Sequence, residues 1–324
     1  MDTPGPFLLG VDIGGTKVAA GLVDAEGSIL FQTRVPMIAN GDAAEGFGAF
    51  VRAIHAVFDA KPEMRSLIAG IGVCAPGPLD PHTGVVINPP NVTCWRNFPL
   101  AAETRLYFNL PTYVDNDANA AALAEAIWGA GIGYRNVFYA TLGTGIGSGI
   151  IFDRQIYHGR TGSAAEGGHI TIDYHGPRCG CGKRGCIEAL CSGPAIAKRA
   201  QERLAESKQT SSKMLALAGG NIDLVKAEIV GEAFRQGDAL AAGVLQNTAE
   251  LLTVWIGNVI DLLEPEVIIF GGGIANLMSP FFGQIREQLP KWSINQRCTE
   301  IPLLMAKYGS DAGIVGGAAL CRAG

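Results

Sequence analysis

The chain has 324 residues, of which 48% are hydrophobic and only 17% charged, with 44 glycines and a formal net charge of -5. That length accommodates two domains of ordinary size, each with its own core, and the composition excludes a largely disordered polypeptide. A weakly acidic chain offers no field to attract a phosphate backbone, which argues against a nucleic-acid partner.

The opening stretch, MDTPGPFLLGVDIGGTK, has no basic leader region, and its apolar run over 7–11 is too short for a signal peptide or a bilayer span. A cytoplasmic protein with no membrane partner is expected. The same run ends in Asp12 and is followed by Gly14, Gly15, Thr16 and Lys17, then by a second apolar run over 18–23. This predicts strand, tight turn, strand. The turn signal Asp24-Ala25-Glu26-Gly27 follows, and 28–32 reads as a third strand.

The design recurs. Residues 136–142 lead into Gly143-Thr144-Gly145-Ile146-Gly147, then a strand over 148–152, a turn at Asp153-Arg154-Gln155 and another short strand. The same number of positions separates Asp12 from Asp24 and Thr141 from Asp153. Two glycine-turn hairpins at matched spacing imply two related lobes, one opening near the N-terminus and one after residue 120, with ligands in a cleft between them; a small α/β lobe over 1–118 plus 306–324 and a large one over 119–305 are expected. Residues 66–73 and 111–114 read as further strands, and 118–130 as an alanine-rich helix closed by glycines. The stretch 194–240 is helical in pattern, broken at Gly219-Gly220-Asn221. A stripe of Leu245, Leu252, Trp255, Val259 and Leu262 makes 241–263 a helix, and 267–270 is a buried strand running into Gly271-Gly272-Gly273.

Backbone amides reach phosphate oxygens only where no side chain intervenes, which is the use of glycine at Gly14, Gly15, Gly143 and Gly145. Thr16 and Thr144 add hydroxyl donors and Lys17 a charge. One such loop is an ordinary turn; two of them with Gly271-Gly272-Gly273 favour a nucleotide. No Gly-Lys-Ser/Thr sequence opens a helix, which removes a Walker A loop, and Ser148 interrupts a dinucleotide fingerprint begun at Gly143. Asp12, ending the first strand, either holds Mg²⁺ or caps its turn.

The strand over 111–114 delivers Asp115-Asn116-Asp117 to its carboxyl end, immediately before a helix. One of the three is expected to cap that helix, but a cap does not use all three. A kinase acting on an alcohol needs a carboxylate against the hydroxyl and a neighbour that orients the sugar, which points to Asp117 as base and Asn116 as sugar ligand.

Of eight cysteines, three crowd into Cys179-Gly180-Cys181-Gly182-Lys183-Arg184-Gly185-Cys186. That spacing suits convergence on one zinc ion better than a disulfide, with His169 and His175 as candidate fourth ligands. Four protein ligands leave no open position, so the metal is expected to be structural. A loop stiffened in this way would hold Glu166 and Glu188 firmly enough to grip sugar hydroxyls. Cys74, Cys94, Cys191, Cys298 and Cys321 read as small packed residues.

Together, Asp12-Ile13-Gly14-Gly15-Thr16-Lys17, Asn116-Asp117-Ala118-Asn119-Ala120, Glu166-Gly167-Gly168-His169, the cysteine cluster with Glu188, and Asp311-Ala312-Gly313 resemble the ROK family of bacterial sugar kinases and repressors, its glucokinases above all. The resemblance runs from about residue 7 to the end of the chain. It implies a two-lobed actin-like ATPase (ribonuclease H-like) fold with a zinc-binding loop, ATP and Mg²⁺ as cofactors, and a hexose substrate. It also implies that Asp117 is the catalytic base, that Asn116, Glu166, His169 and Glu188 bind sugar, and that His169 is the fourth zinc ligand. Gly77 and Asn91 match sugar-facing segments; Thr16, Thr144, Gly272 and Gly273 match the nucleotide side. Glucose converted to glucose 6-phosphate is the reaction implied, with N-acetylglucosamine or N-acetylmannosamine kinases and a sugar-sensing repressor as alternatives, in a homodimer or homotetramer.

Overall fold

The structure, a computed structural model, describes residues 7–207 and 212–322. Residues 1–6, on which part of the leader reading rests, 208–211 within the helical stretch 194–240, and 323–324 of the expected small lobe lie outside the described residues. In chain order come β1 (Phe7–Ile13), β2 (Lys17–Val23), β3 (Ile29–Pro36), α1 (Ala43–Ala60), β4 (Ile68–Cys74), β5 (Leu79–Asp80), β6 (Val85–Val86), α2 (Leu100–Phe108), β7 (Thr112–Asp115) and α3 (Asp117–Trp128). There follow β8 (Val137–Leu142), β9 (Ile146–Phe152), β10 (Gln155–Ile156), α4 (Ile187–Cys191), α5 (Gly193–Ser207), α6 (Lys213–Leu217), α7 (Ala227–Arg235) and α8 (Ala239–Leu263). The chain ends with β11 (Val267–Gly271), α9 (Gly273–Met278), α10 (Phe282–Gln288), β12 (Leu303–Met305) and α11 (Ala312–Leu320). Contacts divide the chain into two compact units, the first running to Tyr139 and adding Gly149–Ala165 and the stretch from Ala306 onward, the second holding Ala140–Ser148 and Glu166–Met305.

One sheet has the order β3-β2-β1-β4-β7 and the other β10-β9-β8-β11-β12. Relative to chain order these are the same pattern, so the repeat expected from the matched spacing is a repeat of topology. In the first sheet β1, β2 and β3 pair antiparallel, while β4 joins β1 and β7 joins β4 in parallel. In the second, β9 pairs β10 antiparallel and β11 pairs β12 in parallel. Duplication of this mixed sheet is the actin-like, ribonuclease H-like α/β arrangement.

In the first unit, α1 lays Phe50, Ile54 and Val57 over β2 and β3, while α11 packs on β1, β4 and α3. The approach of α11 is close enough that a Cβ on Gly10 or Gly72 would lie 1.8 Å from the carbonyl oxygens of Ile314 and Gly317. In the second unit α8 is the central helix, packed against α4, α5, α7 and α10. It is long and apolar enough to cross a bilayer by length and composition, but half of its most apolar window is buried. Leu245, Leu252, Trp255 and Val259 form the expected buried stripe; Leu262 leaves it, at 76% exposure, because the helix ends one residue later.

Several boundaries differ from the sequence reading. β3 continues to Pro36 with alternating burial, since pairing with β2 extends an edge strand past its apolar residues. Ser66 and Leu67 belong to a 3₁₀ turn begun at Pro62, which shortens the expected strand to β4. Ile146 and Gly147 lie in β9, the loop before it reducing to Gly143-Thr144-Gly145 closed by Gly143 N–H on Gly145 O at 2.9 Å. Gln155 opens β10, and the turn narrows to Asp153-Arg154, whose φ values of 48° and 67° suit a two-residue hairpin.

Candidate active site and cysteine cluster

The first unit assembles an acidic group from strand ends. Register places Asp12 opposite Cys74 and Cys74 opposite Asp115, so three parallel strands end side by side. Ligands of α/β sheets gather at such carboxyl ends. Asn116 caps α3, its Oδ1 accepting from Asn119 N–H at 2.8 Å, which leaves its amide hydrogens for a ligand. Asp117 follows at the first helical position, its Oδ1 accepting from Ala118 N–H at 2.8 Å. Asp117 is reachable by solvent yet crowded by protein, and that burial raises its pKa above the usual carboxylate range, against the smaller pull of the Ala118 and Asp117 amides.

Asp12 does not close its own turn; Gly14 N–H on Lys17 O at 2.9 Å does. Its carboxylate lies instead against the first turn of α11, where a Cβ on Gly313 would meet Asp12 Oδ2 at 2.7 Å. Burial first, then the charge of Asp117, raises its pKa, with Lys17 and Arg34 opposing. The Cys74 thiol reports the same convergence: it donates to Gly313 O at 3.0 Å, and burial followed by the fields of Asp12, Asp117 and Asp115 pushes it well up. A hard divalent cation matches a carboxylate in this environment, and Asp12 could hold one. Asn91 overlies the first glycine turn, its carbonyl 2.7 Å from where a Gly15 Cβ would stand, while Thr16 and Lys17 are exposed on that turn. Gly77 is exposed in the loop between β4 and β5.

In the second unit, Thr144 and Gly273 line a cavity of about 850 Å³ with Gly193, Lys226, Glu228 and Arg235. The second glycine loop is tied to α5 by Gly193 N–H on Gly143 O at 2.8 Å. Gly272, at φ 89°, brings β11 against β8 so tightly that a Cβ would sit 2.3 Å from Leu142 O. Gly272→Ala is therefore expected to cost roughly 1–3 kcal/mol of stability, read from thermal unfolding. Gly193, Lys226, Glu228 and Arg235 escaped the sequence reading because they are isolated positions on helices whose pattern is simply amphipathic.

The cysteine cluster lies in the same unit. His169, Cys179, Cys181 and Cys186 offer ligand atoms that all lie within 4.8 Å of one another. Tetrahedral zinc, about 2.3 Å from sulfur and about 2.0–2.1 Å from nitrogen, separates two sulfurs by roughly 3.8 Å and sulfur from nitrogen by roughly 3.5 Å. Cys181 and Cys186 Sγ are 3.7 Å apart, and Cys179 Sγ is 3.6 Å from His169 Nδ1, so the set could hold zinc. His175 stands outside it, exposed, with its ring centroid 3.9 Å from that of Tyr174. With Nδ1 turned to the thiols, Nε2 of His169 is left for a ligand.

Glu188, two residues after Cys186, joins this cluster to the glycine loop. Its Oε1 is 3.7 Å from Cys179 Sγ and 3.9 Å from His169 Nδ1, while its Oε2 accepts from Ile146 N–H at 2.9 Å. Glu166 is exposed at the start of the 3₁₀ turn Gly167–His169. That turn is fixed from both sides, by Gly167 N–H on Ser148 Oγ at 2.9 Å and by Trp255 Nε1–H on Gly167 O at 3.0 Å.

Comparison with known proteins bears on this arrangement. A curated glucokinase from Streptomyces coelicolor is 35% identical over 315 residues, covering 97% of each chain. The crystal structure of a ROK family glucokinase from Streptomyces griseus, in complex with glucose and AMPPNP, matches with a TM-score of 0.79 at 35% identity, over 98% of this chain and 100% of that one. The xylose repressor of Bacillus spizizenii is 29% identical over 310 residues, 96% of this chain and 75% of the repressor. The ROK family model itself matches residues 8–323, and the chain belongs to the ROK family.

Proposed function

We propose that the chain is an ATP-dependent hexose kinase converting glucose to glucose 6-phosphate. The observation that carries this reading is Asp117, a solvent-reachable carboxylate that opens α3 just past the end of β7 and whose proton affinity is raised by the protein crowded around it. A general base works best with a pKa drawn toward the operating pH. Because Oδ1 is engaged by Ala118 N–H, Oδ2 takes the proton of the sugar O6 hydroxyl as that oxygen attacks the γ-phosphorus in line. The P–O bond to ADP breaks as the new one forms. Asn116, Asn91, Gly77, Glu166, His169 and Glu188 hold the sugar. Gly14, Gly15, Thr16, Lys17, Thr144, Gly145, Gly272 and Gly273 receive the nucleotide phosphates, and the cavity beside Thr144 takes the adenosine.

Mg²⁺ bound at Asp12 would supply charge neutralisation on the phosphates. Zinc on His169, Cys179, Cys181 and Cys186 would supply rigidity, since the protein fills all four positions.

Support for a kinase over a sensor comes from the higher identity to the curated glucokinase, 35% against 29% for the xylose repressor. A coupled ADP assay across glucose, mannose, N-acetylglucosamine and N-acetylmannosamine tests the reading. Sugar-dependent ADP release with the highest kcat/KM for glucose is expected. An N-acetylhexosamine in first place would replace the substrate, and sugar binding without ADP release would make the chain a sensor.

A further inference from the structure

We propose that His158 and Asp115 form a positioning pair that holds the Asn116-Asp117 turn for sugar binding; this rests on the reading of that turn as the sugar-phosphorylating site. Asp115, the last residue of β7, has a side chain only 3% exposed. A carboxylate buried to that degree is tolerated when donors satisfy its oxygens. Two donors are local, Asn116 N–H at 2.7 Å and Asn119 Nδ2 at 3.0 Å, both on Oδ1. The third comes from far along the chain: His158 Nε2 lies 2.5 Å from Oδ2. In the proposed pair the carboxylate accepts and His158 Nε2–H donates.

The local bonds close on themselves. Asn119 gives its side-chain amide to Asp115 and its backbone N–H to Asn116 Oδ1, so Asp115, Asn116 and Asn119 form one network that spans Asp117. His158 is the only donor to this carboxylate, among the described residues, that lies outside that turn. The His158 carbonyl in turn accepts from Ala164 N–H at 3.2 Å, closing the loop whose next residues lead to Glu166. His82 stands edge-on to the His158 ring, centroids 5.6 Å apart. The His158 side chain thus bonds the turn assigned to the sugar, so its loss should act on sugar binding before nucleotide binding.

The test compares His158→Ala and His158→Gln in the full chain, with kcat, the KM for glucose and for ATP, calorimetric glucose affinity without nucleotide, and thermal unfolding. In His158→Ala, glucose KM and Kd rise on the order of tenfold, as for loss of a hydrogen bond to a charged group. The ATP KM stays within about twofold, and His158→Gln, whose amide can donate to the same oxygen, recovers most of the loss. Unchanged glucose affinity, parallel shifts in glucose and ATP, or no recovery in His158→Gln overturns the proposal. Should His158→Ala fail to fold, ring-nitrogen NMR of the wild-type chain decides: an Nε2-protonated His158 with a slowly exchanging proton is required, and the Nδ1-protonated tautomer overturns the pair. A wild-type chain that binds glucose but does not turn over refutes the kinase reading alone, because the calorimetric comparison still reads the pair. A chain that binds no hexose overturns both.

Discussion

Asp117→Asn lowers kcat by at least roughly 100-fold while glucose affinity stays within about threefold of wild type, the signature of a group that acts on the transferring proton rather than on binding. Asparagine keeps the shape of the side chain and an Oδ1 to accept from Ala118 N–H, so the first turn of α3 persists and only the basic oxygen is lost. Turnover in the coupled ADP assay and affinity by calorimetry separate the two effects. Near-normal turnover would remove Asp117 from the role, and loss of affinity equal to the loss of kcat would make it a binding residue.

The same substitution tests the cause of the raised pKa. The folded chain holds the Asp117 proton more tightly than the unfolded chain does, so the stability this group contributes is present at low pH and is lost as pH rises through the folded pKa. Asparagine has no charge to desolvate, and its removal of the Asp117 field also relieves Asp12, whose pKa that field raises. Asp117→Asn should therefore be at least as heat-stable as wild type at neutral pH, with the difference shrinking toward acid. A functional carboxylate kept at the expense of stability behaves in this way; one retained as a cap would show the opposite sign.

Much of this was legible in the sequence because the residues concerned are local. The two glycine-turn hairpins could be read from turn residues and apolar runs, and they gave the duplicated sheet; Asp115-Asn116-Asp117 could be placed at a strand end because a helix start follows it. What escaped reading depends on long-range placement. Nothing in sequence ties His158 to Asp115, or Glu188 to the amide of Ile146, and the cavity residues on α5 and α7 are scattered singly. The start of α1 has a local signal as well: Asp-x-x-Glu in the chain forms a reciprocal capping box, Glu45 N–H on Asp42 Oδ1 at 2.8 Å and Asp42 N–H on Glu45 Oε2 at 2.9 Å. The choice between His169 and His175 is open to spacing alone, since both precede the cysteines; in the structure His169, and not His175, lies beside the thiols.

Removing the zinc proposed for the cysteine cluster is expected to abolish sugar phosphorylation and to raise the glucose Kd by at least roughly 100-fold, the largest effect on binding that any single change here should produce. Structural zinc sites contribute roughly 10–16 kcal/mol of apparent binding energy in small modules, and the tip of the cysteine loop is exposed at Cys181, Gly182, Lys183 and Arg184. The bonds Cys179 N–H to Lys183 O and Gly185 N–H to Pro177 O, each 2.8 Å, shape a knuckle around the three thiols. His169 Nδ1 and Glu188 Oε1 both lie against Cys179 Sγ of that knuckle, and Glu188 Oε2 accepts from Ile146 N–H at the end of the glycine loop. Cys186→Ser is the sharper probe than Cys181→Ser, since Cys186 is fully buried and its Sγ also lies 3.5 Å from the His169 carbonyl. Elemental analysis should find one zinc per chain in the wild type and a loss of it in Cys186→Ser. After exhaustive chelation, zinc and not additional Mg²⁺ should restore activity. A zinc-free chain that turns over normally would show that the four side chains need no metal to hold His169 and Glu188 in place.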